Sequence, residues 1–156
     1  MSSLVYSTNR MKYISHPART VTALDNYMLL IEYCEGVSRL YDVKPLFERI
    51  PIFNQLKENN LFNKVKVDIG GDGIAWNSEI DLSSEEPYYN GTPIPSRFDG
   101  IMALGDAAFI WNIDDSTLRH AISNGRFKCG TDITKFGKQW VITIEAMVRE
   151  YGEPKR

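Results

Sequence analysis

The residues from Ser116 to Ser123 combine an apolar stripe with side chains that form strong hydrogen bonds. Leu118, Ala121 and Ile122 recur at spacings of three and four residues, which predicts a helix with one buried face. Hydroxyl groups bind phosphate oxygens and base edges, and one arginine can donate two hydrogen bonds to a guanine. Side chains of these types lie on the opposite face and are predicted to contact nucleic acid: Ser116, Thr117, Arg119, His120 and Ser123.

Another helix is predicted directly before this one, crossing it at a steep angle. Ala107, Ala108 and Trp111 line its predicted inner face, and the two alanines are small enough for a close crossing. Asn112 suits the turn because asparagine tolerates positive φ better than any residue except glycine. Ile113 helps to bury the second helix. The spacing therefore predicts a helix-turn-helix, a motif that many proteins use to bind DNA.

The ends of the second helix carry the expected capping residues. Asp114 and Asp115 are predicted N-caps of a helix that begins near Ser116, because their carboxylates accept hydrogen bonds from otherwise unpaired backbone N–H groups. Gly125 is predicted to end the helix at the C′ position. Both aspartates also lie beside the predicted DNA-binding face, where a carboxylate repels phosphate.

A β-hairpin, or wing, is predicted after this helix. Strands over residues 127–130 and 139–143 flank a loop at residues 131–138, with Lys135, Gly137 and Lys138 at its tip. Lysine side chains bind phosphate, so Lys128, Lys135 and Lys138 join the predicted DNA contacts. The C-terminal third is therefore predicted to be a mainly α, winged helix-turn-helix domain.

The charge of this region favours DNA, although the charge of the whole chain does not. Residues 116–142 hold five basic residues and one acidic residue, a net charge of 5 − 1 = +4, whereas the 156-residue chain has a net charge of −2. One copy would neutralise few phosphates, so its binding is expected to be modest and sensitive to salt. A homodimer or a protein partner is therefore expected where binding is specific.

The stretch from Ile101 to Glu153 resembles a known group of domains. The resemblance is carried by Gly105 to Ala108, Asp115 to Ile122, Gly125 to Phe127, Lys135 to Ile142 and Glu145 to Met147. These segments resemble the small bacterial helix-turn-helix domains akin to excisionase and MerR-type winged helices. The resemblance implies a regulator or a phage-type DNA-binding module.

The first hundred residues predict a small antiparallel sheet with one helical layer. Pro45 suits the first turn of a short helix that runs to Ile50, and Pro51 opens a second helical piece that carries Phe53 and Leu56. Turns are predicted at Asp25-Asn26, Glu35-Gly36 and Gly70 to Gly73, between strands over residues 21–24, 27–33, 38–42, 64–69 and 74–76.

This half of the chain resembles the bacterial domain-of-unknown-function 2442 family. The residues that carry the likeness include Val21, Leu24, Tyr27, Leu29, Ile31, Gly36, Arg39, Tyr41, Asp42, Phe53, Phe62, Val65, Val67, Gly73, Trp76, Asn77 and Ile80 to Leu82. The resemblance implies a small α+β module in a regulatory or antitoxin-like setting. It transfers no catalytic residue.

These patterns predict an α+β protein of two domains. Residues 1–90 are predicted to form the α+β module, with about the first 15 residues as an arm, and residues 101–156 form the winged domain. Residues 91–100 are rich in glycine and proline and are predicted to be a linker. If Tyr88 and Tyr89 are exposed, they form a patch suited to a protein partner or to dimerisation.

Other functional classes find little support in the sequence. His16 and His120 have no metal-ligand partners at suitable spacing, and the Gly70 to Gly73 segment lacks the lysine of a phosphate-binding loop. We therefore expect no metal, no cofactor and no catalytic activity. Cys34 and Cys129 are expected to be free thiols in the cytoplasm, and no stretch resembles a signal peptide or a membrane span.

The function predicted from these residues is that of a DNA-binding transcriptional regulator, of the kind in which an antitoxin represses its own promoter. Double-stranded DNA is the expected partner of the C-terminal domain. The N-terminal module is expected to bind a protein partner, such as a toxin-like protein, or to dimerise. The alternative is a protein interaction module without affinity for DNA.

Overall fold

The computed structural model describes residues 15–154. The chain divides into two compact units, one containing His16–Tyr33 and Val37–Ser96, the other containing Cys34–Gly36 and the chain from Arg97 onward. They are called the N-terminal and C-terminal units below. Residues 1–14, which make up nearly all of the predicted arm, lie outside the described residues.

The elements of both units are short. In chain order, they are β1 (Ala18–Leu24), β2 (Met28–Tyr33), β3 (Ser38–Asp42), α1 (Lys44–Arg49), β4 (Lys66–Val67), β5 (Gly73–Ala75), β6 (Asp81–Ser83), α2 (Glu85–Asn90), β7 (Thr92–Ile94), β8 (Ile101–Ala103), α3 (Leu104–Trp111), α4 (Asp115–Ser123), β9 (Ile133–Phe136), β10 (Gln139–Thr143) and α5 (Ile144–Tyr151). Short 3-10 helices cover Asp25–Tyr27, Pro51–Lys57 and Leu61–Lys64. The predicted α+β class is confirmed.

The N-terminal unit contains two antiparallel sheets, where the sequence predicts one. The larger sheet has the strand order β1-β2-β3-β7, and the smaller sheet has the order β4-β5-β6. Strand β6 was not predicted because Asp81–Ser83 is short and mostly polar. It pairs with one edge of β5 while β4 pairs with the other, so β5 has no free edge with which to extend the larger sheet.

Most local features of this unit agree with the prediction. Leu29, Ile31 and Tyr33 are buried at every second position of β2, as expected for a strand with one face in the core. Helix α1 carries Pro45 in its first turn. Phe53 and Leu56 are buried as expected, on a 3-10 helix rather than an α-helix.

The segment predicted as a linker contains an edge strand. Residues 92–94 form β7, whose Pro93 lies opposite Arg39 of β3. Proline has no N–H to donate, but an edge strand has a free side on which that donor is not needed. The glycine and proline content of residues 91–100 predicts a linker, although this segment contains a short strand.

The neighbouring tyrosines do not form an exposed pair. Tyr88 is half-buried, and its ring stacks on that of His16 with 3.6 Å between the centroids. The guanidinium of Arg39 lies 4.4 Å from the Tyr88 ring centroid. Only Tyr89 of the two is exposed, so the predicted patch is reduced to a single aromatic residue.

The C-terminal unit contains three helices and a three-stranded antiparallel sheet of order β8-β10-β9. Helix α3 contacts α4, α5, β8 and β10 and is therefore central to the unit. The buried core consists of Met102, Leu104, Ala107, Ala108, Ile110, Trp111, Leu118, Ala121, Phe127, Ile133, Ile142, Ala146 and Met147.

The hairpin of this unit has a different first strand from the predicted one. Residues 127–130 form no strand beyond an isolated bridge between Cys129 and Ile133, and β9 covers residues 133–136. The Asp132 carboxylate accepts a hydrogen bond from the Lys128 N–H, and Gly130 has a φ of +88°. These features fold residues 128–132 into a turn, so the strand begins after it.

Candidate nucleic-acid interface

The turn between α3 and α4 has the geometry that the sequence predicts. Helix α3 ends at Asn112, which adopts the left-handed conformation with φ 56° and ψ 49°. The Ile113 N–H then donates to the Ala108 carbonyl at 2.9 Å. Ala107 and Ala108 are buried in the core that also holds Leu118 of α4. The left-handed turn at Asn112 and the burial of the two alanines agree with the prediction.

Helix α4 begins at the predicted place but is capped differently. Asp114 occupies the N-cap position, yet its side chain makes no capping hydrogen bond. Its backbone carbonyl accepts from the N–H groups of Thr117 and Leu118. The carboxylate of Asp115 interacts with Arg119 instead, so the prediction of carboxylate capping is wrong for both aspartates.

The polar residues of α4 form an exposed surface, the recognition face. Leu118 and Ala121 are buried, and a stripe with the spacing i, i+3, i+4 and i+7 faces the opposite side. That stripe contains Ser116, Arg119, His120 and Ser123, and Thr117 lies beside it; all are exposed. The structure therefore brings these predicted contact residues together on one surface.

Arg119 is held along the helix by Asp115. The Arg119 Nε donates to the Asp115 Oδ2 at 2.6 Å, and both side chains are about half exposed, at 53% and 49%. An acidic residue four positions before a basic one is the favourable order for such a pair. Within the part of the chain that the structure describes, the terminal Nη1 and Nη2 groups of Arg119 form no hydrogen bond.

Helix α4 ends as predicted at Gly125. This glycine has a φ of +79°, and its N–H donates to Ile122 at 3.1 Å while the Arg126 N–H donates to Ala121 at 3.0 Å. These two bonds form a Schellman motif. The chain direction after the recognition face is therefore fixed by backbone hydrogen bonds.

The β9–β10 hairpin places two lysines near its end. Phe136 pairs with Gln139 and Lys135 with Trp140, so Gly137 and Lys138 form the turn, and Gly137 has a φ of +62°. The Lys135 Nζ lies 5.1 Å from the Trp140 ring centroid. Lys128, in the turn before β9, is exposed as well. Phe136 is exposed beside the lysines and is not among the residues predicted to contact DNA.

An ion-pair network, the anchor network, holds the start of the hairpin to α5. The Arg149 guanidinium donates to both carboxylate oxygens of Asp132, at 2.8 and 3.1 Å. Arg149 also pairs with Glu150, which accepts two hydrogen bonds from Arg126 at 2.8 and 3.2 Å. Nothing in the local sequence pattern indicates these pairs, because Asp132 and Arg149 lie in different elements.

The anchor network changes the acidity of its carboxylates. Hydrogen bonds from Arg149, followed by one from the Lys128 N–H, hold the pKa of Asp132 below its usual range. Hydrogen bonds from Arg126 and Arg149 likewise hold the pKa of Glu150 below its usual range. Both groups are therefore charged at neutral pH. Two basic residues near the hairpin, Arg126 and Arg149, form ion pairs with them.

The free positive charge of the interface thus comes from lysines. Of the five basic residues in 116–142, Arg119 pairs with Asp115 and Arg126 pairs with Glu150. Lys128, Lys135 and Lys138 form no ion pair with any residue that the structure describes.

Among residues 15–154, no group of histidine, cysteine and acidic side chains could hold a metal ion, and no helix is long and apolar enough to cross a membrane.

The arrangement of α3, the turn and α4 agrees with the comparison with protein families. Residues 95–156 match the family model described as a helix-turn-helix domain. Helices α3 and α4 and the turn between them form the helix-turn-helix of the C-terminal unit. Residues 18–92 match the model described as a protein of unknown function (DUF2442). Both resemblances predicted from the sequence are confirmed at this level, and the link of the helix-turn-helix domain to excisionase and MerR remains a prediction.

No curated protein matches the chain. Among solved structures, the chain is similar to the crystal structure of "Putative DNA Binding Protein NE0471" from Nitrosomonas europaea ATCC 19718, with a TM-score of 0.44 and 16% identity. The match covers 70% of this chain and 77% of that one.

Proposed function

We propose that this chain is a DNA-binding transcriptional regulator that catalyses no reaction. The observation that supports it most is the recognition face, because hydroxyl groups, a histidine and an arginine line the exposed side of the second helix of a helix-turn-helix domain. In this proposal α4 enters the major groove. Arg119 donates to a guanine through Nη1 and Nη2, while the serine and threonine hydroxyls bind phosphates or bases.

The hairpin acts as a wing in this proposal. Lys135 and Lys138 bind phosphates on one side of the recognition helix, and Lys128 adds a third positive charge. Each lysine that replaces a condensed counterion contributes to affinity without regard to sequence. The hairpin therefore supplies orientation and affinity, and α4 supplies the choice of sequence.

The N-terminal unit is proposed to bind a protein partner or a second copy of the chain. A dimer would present two copies of α4 to half-sites about one helical turn apart. An antitoxin-like regulator that represses its own promoter fits this arrangement, because binding of a toxin-like partner to one unit could alter DNA binding by the other.

The alternative is a protein interaction module without affinity for DNA. The net charge of −2 supports this alternative, as do Asp114 and Asp115, which are exposed at the start of α4. Carboxylates at this position disfavour the approach of a phosphate.

Fluorescence anisotropy distinguishes the two functions. The full chain is titrated against a labelled duplex taken from upstream of its own gene, and against a scrambled duplex, at about 50 and about 200 mM salt. Preferential binding to the upstream duplex at the higher salt is expected for the regulator. Absence of binding to both duplexes at the lower salt would overturn the proposal and favour the interaction module.

A further inference from the structure

The end of the β9–β10 hairpin carries an aromatic ring that lies largely in solvent. Phe136 is the last residue of β9, beside the Gly137-Lys138 turn, and 68% of its surface is exposed. A large apolar side chain in this position loses the free energy that its burial would provide. The ring is therefore accessible to a partner in a complex.

Phe136 does not contribute to the core of the C-terminal unit. Ile133 and Ile142, which pair with each other, are buried, and Lys135 and Trp140 continue the same face of the hairpin. Because successive side chains of a strand point to opposite faces, Phe136 lies on the other face. It is absent both from the buried core cluster and from the residues packed against it.

The charge around Phe136 favours a polyanionic partner. Lys135 precedes it and Lys138 follows within the turn, while residues 133–143 contain no acidic side chain. A partner that suits this surface carries negative charge beside an apolar interior. Duplex DNA has this chemistry, because phosphates border the minor groove and stacked bases lie at its floor.

We propose that Phe136 is an apolar wedge that inserts between base pairs from the minor groove when α4 occupies the major groove. Lys138, next to Phe136 in the turn, binds a phosphate beside the inserted ring, and Lys135, on the opposite face of the hairpin, adds positive charge to this end of the hairpin. Inserted phenylalanines partly unstack the bases and bend the duplex by about 20–90°. This inference rests on the proposed function and adds a bent DNA to it.

The test combines affinity and bending on one duplex. A duplex of about 30 base pairs, long enough for two half-sites, is taken from upstream of the gene and carries a donor and an acceptor dye at its ends. The full chain, Phe136→Ala, Phe136→Leu and Phe98→Ala are each titrated against it. Phe98 is the matched control, since it is an exposed phenylalanine of the same unit that lies outside the hairpin.

We expect the unmodified chain to bend the duplex and Phe136→Ala to bind without bending it. Its affinity should fall about 5- to 150-fold, the range found when an aromatic ring that stacks on bases is removed. Phe136→Leu keeps an apolar wedge and should retain part of the bend, and Phe98→Ala should behave as the unmodified chain. The thermal midpoint of Phe136→Ala should not change, because the ring contributes no core contact.

Other outcomes overturn either the wedge or the whole proposal. If the chain binds the duplex and Phe136→Ala leaves affinity and bending unchanged, the wedge is wrong and the regulator stands. If Phe136→Ala alters only self-association in sedimentation, the exposed ring is a contact between copies of the chain, and the wedge is also wrong. If the unmodified chain binds no duplex, the proposed function fails, and the wedge fails with it.

Discussion

Arg119 is the residue whose chemistry bears most directly on sequence recognition. Replacing it with alanine removes the only guanidinium on the recognition face of α4. We expect the preference for the upstream duplex over the scrambled one to fall by about 1–3 kcal/mol, the discrimination that a good arginine-guanine contact supplies. Anisotropy titrations of both duplexes measure this ratio.

An arginine of the N-terminal unit provides the control for this variant. Arg49 is exposed on α1, and Arg49→Ala changes the net charge by the same amount. Equal losses of preference in the two variants would mean that Arg119 contributes charge alone and reads no base.

Asp115 is predicted to position Arg119 for recognition. The Asp115→Asn variant weakens the hold on the Arg119 Nε and removes a negative charge from the interface. We therefore expect two opposite effects: binding to scrambled DNA becomes stronger, while the preference for the upstream duplex decreases. Titration of both duplexes at two salt concentrations separates the effects, because non-specific binding depends steeply on salt. A gain in affinity that is equal for both duplexes would show that Asp115 only repels phosphate.

The sequence predicts which residues of α4 are exposed. It does not predict which of the two aspartates, Asp114 or Asp115, pairs with Arg119. The spacing of Leu118 and Ala121 fixes which side is buried, so the exposed set follows from helix geometry. Two adjacent aspartates, by contrast, compete for the N-cap position. Asp114 takes that position, which leaves Asp115 one turn before Arg119 and able to pair with it.

At the scale of elements, the hairpin shows how a turn shifts a strand. The sequence indicated a hairpin after α4, and residues 139–143 form the predicted strand β10. The sequence predicts the first strand too early, because an apolar residue such as Phe127 is typical of a strand. Phe127 is instead buried in the core after the Gly125 turn, and the Asp132 side chain delays the start of β9.

Lys138 tests whether the hairpin binds the DNA backbone. The Lys138→Ala variant is expected to weaken binding to upstream and scrambled DNA alike, because a phosphate contact carries no base information. The slope of log affinity against log salt should decrease by about 1. Lys64→Ala, a change at an exposed lysine of the N-terminal unit, serves as the control. An unchanged slope in Lys138→Ala would remove the hairpin turn from the interface.

Helix α5 is predicted to depend on its N-cap. The Thr143 Oγ1 accepts a hydrogen bond from the Ala146 N–H at 3.0 Å, and Ala146 and Met147 of this helix are fully buried. Thr143→Ala should lower the free energy of unfolding by about 1 kcal/mol, the usual loss for such a cap. Urea denaturation measures it. Thr143→Ser retains a hydroxyl and should recover most of the loss; equal losses in the two variants would argue against a capping role.

For the whole molecule, the sequence predicts the division into two regions. It does not predict the contacts that complete each region. Composition and the two resemblances placed the α+β module before the helix-turn-helix domain. The sequence does not predict the second sheet of the N-terminal unit, because a three-residue strand such as Asp81–Ser83 is too short to show an alternating pattern. The anchor network was missed for a different reason: the pairing of Asp132 with Arg149 depends on how β9 and α5 pack.

The anchor network is expected to make the stability of the chain depend on pH. Arg149 lowers the folded-state pKa of Asp132. The ionised carboxylate therefore stabilises the fold at pH values above about 3.9, which is the pKa of aspartate in the unfolded chain. This stabilisation is lost as the pH falls through the folded-state pKa. Asp132→Asn should therefore be less stable than the unmodified chain at pH 7, by about 1 kcal/mol because Arg149 is half in solvent.

Thermal unfolding at a series of pH values checks this expectation. The midpoint of Asp132→Asn should lie about 2–4 °C below that of the unmodified chain at pH 7, and the gap should close as the pH falls below about 4. Asp81→Asn is the control, because Asp81 is exposed and forms no ion pair with the described residues. A gap that stays constant as acid is added would mean that Asp132 acts through its shape and neutral hydrogen bonds, since a contribution from its charge must disappear when the carboxylate is protonated.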